Sequence, residues 1–468
     1  MQRLFEAFED AGKELYLVGG AVRDIALGIP MEELDDLDFC TDARPEESLA
    51  IIKKAKLPHY DMGFEFGTVG AVLHGPKDEG YPKDCQVTTY RSEEYYRRGS
   101  RHPQVKFGDT IEQDLGRRDF SINSMAIDKD QNFIDPYGGL KDLNEGLLRV
   151  VGDPRETLAE DPLRILRVAR FKSRLGFDVE EALFEASRDR ATGLLDISRE
   201  RWLQEMTKIL AGTYVRDGME FLHDVGVLGL ILPEVAVLRG FHESSPVHHK
   251  DIWAHTMQVV LQAPDRGAMK WAALLHDIGK VWTRRIDEAD EKVTFYRHEE
   301  QGAILTEGIT ARFKVDKATA AEVRFVVENH GRIQQYSSEW GDGAVRRFVR
   351  EMDPYLESML LFSRADLTTQ SAERRRQALE RVEELTERIE EMEATESLRP
   401  ELPTGLGNAL MKALSLKPSP VIGELKSYLE ERIMDGLLES GQETSYYVDA
   451  LKASPPEFLE EDGDESPR

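Results

Sequence analysis

Cysteine is nearly absent. Cys40 and Cys85 are the only two in 468 residues, too few and too unpatterned for a disulfide framework or a cysteine-ligated zinc site, and they suit a reducing compartment. Long apolar runs are missing as well: nothing approaches the roughly 18 consecutive apolar residues of a membrane helix. The first residues also lack the basic and apolar regions of a secretory signal. A cytoplasmic location with no membrane partner is therefore expected, and no protein partner is indicated. Positive charge is scarce. The 61 lysines and arginines face 88 aspartates and glutamates, a net charge of −27, which disfavours general adhesion to a phosphate backbone. The charge is unevenly spread, however. Acidic residues concentrate at 380–393 and 457–465, and arginines gather at 91–101, 117–118, 164–174 and 346–350, a distribution compatible with a basic groove on an acidic body. There are no internal repeats, and the length implies roughly three or four domains.

What is present is most informative at 17–39, LVGGAVRDIALGIPMEELDDLDF. Gly19-Gly20 follows the β-prone Tyr16-Leu17-Val18 and precedes a helix opened by Ala21-Val22-Arg23-Asp24, so backbone N–H groups and a helix N-terminus can face a polyphosphate, with Arg23 as mobile positive charge nearby. Asp36 and Asp38 flank Leu37 on a second short strand, and the two-residue period of a strand sends both carboxylates to one side. Such a pair can hold Mg²⁺ for in-line displacement on a nucleotide. Alone, a Gly-Gly is a tight turn and an Asp-x-Asp is a solvated edge; their order and separation carry the signal.

Farther along, Phe66–Leu73 and Cys85–Tyr90 read as strands of a small mixed sheet, and residues 91–104 (RSEEYYRRGSRHPQ), charged and aperiodic, as a mobile loop beside the site. In 116–128 (GRRDFSINSMAID), Arg117-Arg118-Asp119 opens a helix whose Phe120, Ile122 and Met125 are buried, and arginine suits phosphate through its planar paired donors. Residues 154–175 read as one capped helix. In it, Asp161 and Arg164 lie one turn apart and can present an acceptor and a donor to a flat base, with Glu160 and Arg167 on the same polar face, while Pro162 falls near the helix start. From 242 histidines gather: His248, His249, His255, His276, His298 and His330. With Asp277 and Asp366 they form a donor set for a divalent metal. Residues 371–393 are a charged amphipathic helix, and the chain from 454 is expected to be disordered.

In this order the stretches resemble the class II tRNA nucleotidyltransferases, the family of bacterial CCA-adding enzymes and poly(A) polymerases. LLHDIGK at 274–280 resembles the HD-superfamily phosphohydrolases, whose domain occurs in many of those enzymes. The resemblance implies an α+β chain: a small mixed-sheet nucleotidyltransferase head (1–150), a mostly α-helical neck carrying the nucleobase template (151–241), an HD domain (242–370), a helical C-terminal body (371–453) and a disordered acidic tail (454–468). It implies an RNA-binding tRNA-processing transferase that adds C and A from CTP and ATP to the tRNA 3′ end. Asp36 and Asp38 would be catalytic and hold two Mg²⁺; Gly19, Gly20, Arg23, Arg118, Asp119 and Asn123 would bind the triphosphate and ribose; Glu160, Asp161, Arg164 and Arg167 would read the base. His255, His276, Asp277 and Asp366 would hold a second divalent metal in a phosphohydrolase centre, and His298 and His330 can add to it. Loss of the loop at 91–104 goes with CC-only activity in the family, and here the loop is full length. Two alternatives stand beside this: an A-adding enzyme or poly(A) polymerase, and an HD phosphohydrolase with a nucleotide-binding head. Gln86-Val87-Thr88-Thr89 departs from the Glu-Val-Thr-Thr of related strands, so no third acidic contribution is expected there.

Overall fold

Short apolar runs that alternate with polar residues build the N-terminal sheet. In the computed structural model, β1 (Leu15–Val18), β2 (Leu37–Thr41), β3 (His59–Asp61), β4 (Thr68–Leu73), β5 (Lys83–Thr89), β8 (Ala126–Ile127) and β9 (Phe133–Ile134) form one mixed sheet in the order β3-β4-β5-β2-β1-β8-β9. The structure describes all residues except 35, 62, 76–81, 97–102, 242–250, 288–291, 370, 395–401, 435, 457 and 462–468. The described chain divides into two units, 1–261 with 284–294 and 305–317, and 262–283 with 295–304 and 318–468.

In the first unit the sheet's register separates two faces. Leu17, Phe39, Val87 and Val69 lie side by side across β1, β2, β5 and β4, all buried. Helix Gln2–Asp10 covers this row, with Phe5 edge-on to Phe39 at 5.7 Å, and its Leu4 and Phe8 are buried as their spacing requires. The next row, Val18, Asp38, Gln86 and Gly70, belongs to the other face. That face is half covered: Cys40, Tyr90, Ile111, Leu115 and Ala126 pack with Val18 under the short helix Ile111–Gly116, while Asp38 remains exposed. The central β2–β5 pair is parallel, and the helix Pro45–Lys54 lies within the crossover that such a pair needs. Both thiols, on β2 and β5, are buried and unbridged.

Three local expectations are corrected. The segment 91–104 is not an aperiodic loop: β6 (Arg91–Tyr96) and β7 (Pro103–Phe107) pair antiparallel from Arg91 opposite Phe107 to Tyr96 opposite Pro103. Its tip, with Arg97 and Arg98, lies outside the described residues. Residues 154–175 are two helices, Pro154–Glu160 and Arg164–Leu175. Pro162 offers no N–H and pushes the residue before it out of the helical region, and Asp161 accordingly adopts φ −137°, ψ 93°. Arg117 follows the end of helix Ile111–Gly116 and does not open a helix. Phe120, Ile122 and Met125 are buried as expected. Beyond the head, helices Arg164–Leu175, Arg199–Leu210 and Val215–Asp224 pack around Leu166, Met206, Ile209 and Leu222.

The second unit is mostly helical. Every residue from Ala268 to Leu275 in the helix Gly267–Leu275 is buried, which marks it as the unit's interior. Leu356–Ala365 packs against the 23-residue helix Ala372–Ala394, whose inward stripe is Val382, Leu385, Ile389 and Met392, and Arg364 grips Glu383 through two bonds of 2.9 and 3.1 Å. Helices Leu406–Ala413, Val421–Met434 and Thr444–Ala453 share a core of Leu406, Leu410, Leu425, Leu429, Tyr447 and Leu451. Within the stretch expected to be disordered, Phe458–Glu461 is helical, and 462–468 lie outside the described residues. Among the described residues no helix is long and apolar enough to cross a membrane.

Candidate active site and histidine cluster

The head site begins at Gly19, which caps the helix Gly20–Ala26 with φ +74°, a conformation that glycine adopts without steric cost. Space also demands glycine there: a Cβ on Gly19 would stand 2.9 Å from Arg118 Nη1. The guanidinium of Arg118 thus lies directly against the turn. It is held from behind by Asp114, a fully buried carboxylate that sequence reading passed over. Arg118 Nε and Nη2 donate to Asp114 Oδ2 at 3.2 and 2.9 Å, Arg117 Nε and Nη2 donate to Oδ1 at 3.2 and 3.0 Å, and the Arg91 backbone N–H donates to Oδ1 at 3.1 Å. Burial opposes the charge on Asp114, yet Arg118 and Arg117 outweigh it and hold its carboxyl below the usual range. The available signal was an aspartate three and four residues ahead of paired arginines.

Asp38 opens to the uncovered face, and Asp36, one residue ahead of β2, is exposed as well, whereas Leu37 and Phe39 are buried. The alternation therefore places the two carboxylates on one side. Desolvation raises the Asp38 pKa, Asp36 adds to the rise, and Arg118 opposes it. Two crowded acidic oxygen donors of this kind are a fit for a hard divalent cation. Gln86 stands beside Asp38 in register, so the lateral neighbour is a neutral amide.

Arg23 is not the mobile charge expected. It is 3% exposed, donates from Nε to Asp24 at 2.8 Å and from Nη1 to Asn123 Oδ1 at 2.9 Å, and lies over the Phe171 ring. Asn123 in turn donates to Asp119 Oδ1 at 3.2 Å, and Arg167 Nη1 reaches Asp119 Oδ2 at 3.3 Å. Arg174 reaches Asp24 at 3.0 Å. Burial disfavours the charged form of Asp119, but Arg167 and the Asn123 bond prevail and lower its pKa. Asp161, pinned by Pro162, accepts from the Leu163 N–H at 3.1 Å and from Arg201 Nη2 at 3.1 Å; Arg164 Nη2 donates to the Arg117 carbonyl at 3.2 Å. Glu160 is exposed. Arg118, beside Gly19, is thus joined through Asp114 and Arg117 to Arg164, while Arg23, Asn123, Asp119 and Arg167 form a second bonded chain.

The second unit brings together His276, Asp277, His298, His330 and Asp366. His276 Nε2 lies 3.2 Å from Asp277 Oδ2 and 3.7 Å from Asp366 Oδ1; His298 Nε2 and His330 Nε2 lie 3.6 and 3.8 Å from Asp277 Oδ1 and 3.3 Å from each other. Lys280 holds Asp277 Oδ2 at 2.8 Å. Donor atoms of Asp277, His298 and His330 all fall within 4.8 Å of one another, a group able to hold a metal ion. Their Nδ1 atoms at His276, His298 and His330 face the carbonyls of Ala273, Phe295 and Val327 at 2.9, 3.0 and 2.8 Å, which turns each Nε2 toward the carboxylate. Burial disfavours the Asp277 anion, but His276 and Lys280 reverse that and drop its pKa far below the carboxylate range. Burial and His276 push His330 down to about 4, keeping it neutral and ready to ligate. His255 is buried on the helix Ile252–Gln262, in the first unit. His248 and His249 lie outside the described residues.

Three family models match successive stretches: the poly A polymerase head domain over residues 15–149, the probable RNA and SrmB-binding site of polymerase A over 176–238, and the HD domain over 251–370. These define a nucleotidyltransferase-type head followed by an HD domain. The CCA-adding enzyme of Streptococcus pyogenes serotype M3 is 33% identical over 323 residues, covering 64% of this chain and 75% of that enzyme, and the chain belongs to the CCA-adding enzyme family. The CCA-adding enzymes of Streptococcus mutans and Lacticaseibacillus paracasei are each 41% identical, over 219 and 217 residues; here the chain spans about half the relative's length, 51% in both. In fold, the chain is similar to the Bacillus stearothermophilus CCA-adding enzyme in complex with CTP, with TM-score 0.69, 22% identity and 97% of each chain covered. It is also similar to a CCA-adding enzyme complexed with ATP, with TM-score 0.60, 22% identity and coverage of 97% and 94%.

Proposed function

We propose that this protein extends the 3′ end of tRNA with C and A from CTP and ATP, releasing pyrophosphate. The observation that carries the reading is the pair Asp36 and Asp38 on the uncovered sheet face, with Arg118 set against Gly19. Bound there, Mg²⁺ would supply the Lewis acidity that activates the primer hydroxyl and neutralises the leaving pyrophosphate. The chain's own residues do the rest. Asp36 and Asp38 hold the cations; Gly19, Gly20 and Arg118 meet the triphosphate; Asp119 and Asn123, already joined to each other, bind the ribose, with Arg23 locking Asn123 from below. Glu160, Asp161, Arg164 and Arg167 offer the donor and acceptor edge for the base, and the Pro162 break fixes Asp161 outside either helix, so that the template is rigid where it must discriminate. We assign the head to 1–150, the neck to 151–241, the HD domain to 242–370 and the C-terminal body to 371–453.

Primer extension tests this. A tRNA lacking its whole 3′ end should acquire CCA when CTP and ATP are both present, and a tRNA ending in CC should acquire A with ATP alone. Addition of A only, whatever the primer, would replace the reading by an A-adding enzyme, and long A tails on unrelated RNA by a poly(A) polymerase.

The cluster around Asp277 supports a second, separate activity, hydrolysis of phosphomonoesters or 2′,3′-cyclic phosphates at RNA ends with a divalent metal that His276, Asp277 and Asp366, with His298 and His330, would hold. Asp277→Ala should abolish that hydrolysis, on the order of 10³-fold, and leave C and A addition within about twofold of wild type, because no ligand of the head site is altered. Both activities are measured on the same preparation; addition lost together with hydrolysis would show that the histidine cluster supports the whole fold and not a separate centre.

A further inference from the structure

The approach of the chain to the carboxylate pair has little backbone support of its own. The paired strand begins only at Leu37, so Asp36 stands ahead of the ladder, and upstream of it Met31–Glu33 form a single 3₁₀ turn without a side-chain cap. One side chain secures this turn. Lys83, the first residue of β5, is 7% exposed, and its ammonium donates to the carbonyls of Met31, Glu32 and Leu34 at 2.9, 2.8 and 2.6 Å. An ammonium has three protons and no acceptor, so every donor is spent on carbonyls of one four-residue stretch. The Met31 carbonyl also accepts the Leu34 backbone N–H at 3.3 Å, and the ammonium adds its charge at the C-terminal end of the turn, where positive charge is most favourable. The register explains how the lysine gets there: β5 runs parallel to β2 with Cys85 beside Leu37 and Gln86 beside Asp38, so Lys83 stands level with the segment leading into Asp36.

We propose that Lys83 is a positioning residue for the carboxylate pair: its three carbonyl bonds fix the 31–34 turn and hence the direction in which Asp36 enters the site, so that it sets divalent-cation affinity without contacting cation or nucleotide. The proposal rests on the reading of Asp36 and Asp38 as cation ligands. A neutral Gln86 beside Asp38 makes the requirement sharper, since two carboxylates must supply what a third does not share.

The test measures Mn²⁺ binding to the full chain by the EPR signal of free Mn²⁺, with CTP present and tRNA absent. Binding that survives in the Asp36→Ala/Asp38→Ala double variant is subtracted. Lys83→Met should weaken the remaining binding at least about tenfold, as loss of an outer partner of a metal ligand does. Lys83→Arg, whose donors can still reach the carbonyls, should recover most of it, and raising Mg²⁺ should return addition by Lys83→Met toward the wild-type kcat. Wild-type Mn²⁺ affinity in Lys83→Met overturns the proposal. If that variant does not fold, Lys83→Gln takes its place under the same criterion. A wild-type protein with no Mn²⁺ binding dependent on Asp36 and Asp38 would instead overturn the reading of the pair itself.

Discussion

Alanine at both Asp36 and Asp38 is expected to lower incorporation of CTP and ATP by on the order of 10³-fold or more, the equivalent of several kcal/mol of transition-state stabilisation lost with the cations. The fold should survive, because both side chains are exposed and the strand is anchored by Leu37 and Phe39, each 1% exposed on the opposite side. The unfolding midpoint should even hold or rise slightly, since two crowded carboxylates are removed. Incorporation of labelled nucleotide and thermal unfolding, measured on one preparation, separate the outcomes. Retained incorporation would place the catalytic cations elsewhere, and loss of both signals would make the aspartates structural.

Asp114→Ala is expected to damage stability and nucleotide binding together. It strips five donors of their shared acceptor: two from each of two guanidiniums and the Arg91 N–H. Breaking such a pair from one side costs about 3 kcal/mol, the lower end of the usual range, since Arg117 and Arg118 keep 18 and 19% of their side-chain surface and can rehydrate. Arg118, released from behind, no longer stands fixed at Gly19, and the KM for CTP and for ATP should rise at least about tenfold, the worth of one charge-assisted bond. The pH dependence has a defined sign. The Asp114 pKa is depressed in the folded state, so its contribution is complete above the unfolded value near 3.9 and fades as pH falls through the folded value. The stability gap between wild type and Asp114→Asn should accordingly be full at neutral pH and shrink below about pH 4. A constant gap across that range would show that Asp114 acts through its shape and not its charge.

How much the sequence reveals depends on whether a residue's surroundings are local. Asp36 and Asp38 could be assigned to one side from the two-residue period alone, since Leu37 and Phe39 declare the buried side themselves. The inward stripe of Ala372–Ala394 is legible for the same kind of reason. Asp114 was missed because one acid in an acidic chain is unremarkable until the sheet brings Arg91 beside it, 23 positions away. Lys83 and the carbonyls it binds are 49 to 52 positions apart, and no periodicity links them. The hairpin β6–β7 looks like a loop in sequence because Arg, Glu and Ser are weak strand formers, and cross-strand pairing overrides that preference. The break at Asp161 was predictable in kind: a proline eight residues after the start of a putative helix is too deep for the first turn. The sequence alone makes Arg23 look mobile, as arginine usually is; only the tertiary fold places Asp24, Asn123 and Phe171 around it.

The two thiols on neighbouring central strands have a practical consequence. Cys40 is 1% exposed with its thiol held well above the ordinary value by burial, and burial pushes Cys85, also 1% exposed, up to about 12. Since the thiolate is the reactive form, both stay silent toward maleimides in the folded protein. A single cysteine introduced at an exposed position, such as Glu112 on the helix that covers the sheet or Lys106 on β7, would then be the sole labelling point. Fluorescent reporters of nucleotide or tRNA binding can therefore be attached without first building a cysteine-free background, and accessible native thiol becomes a direct measure of how often the central sheet opens.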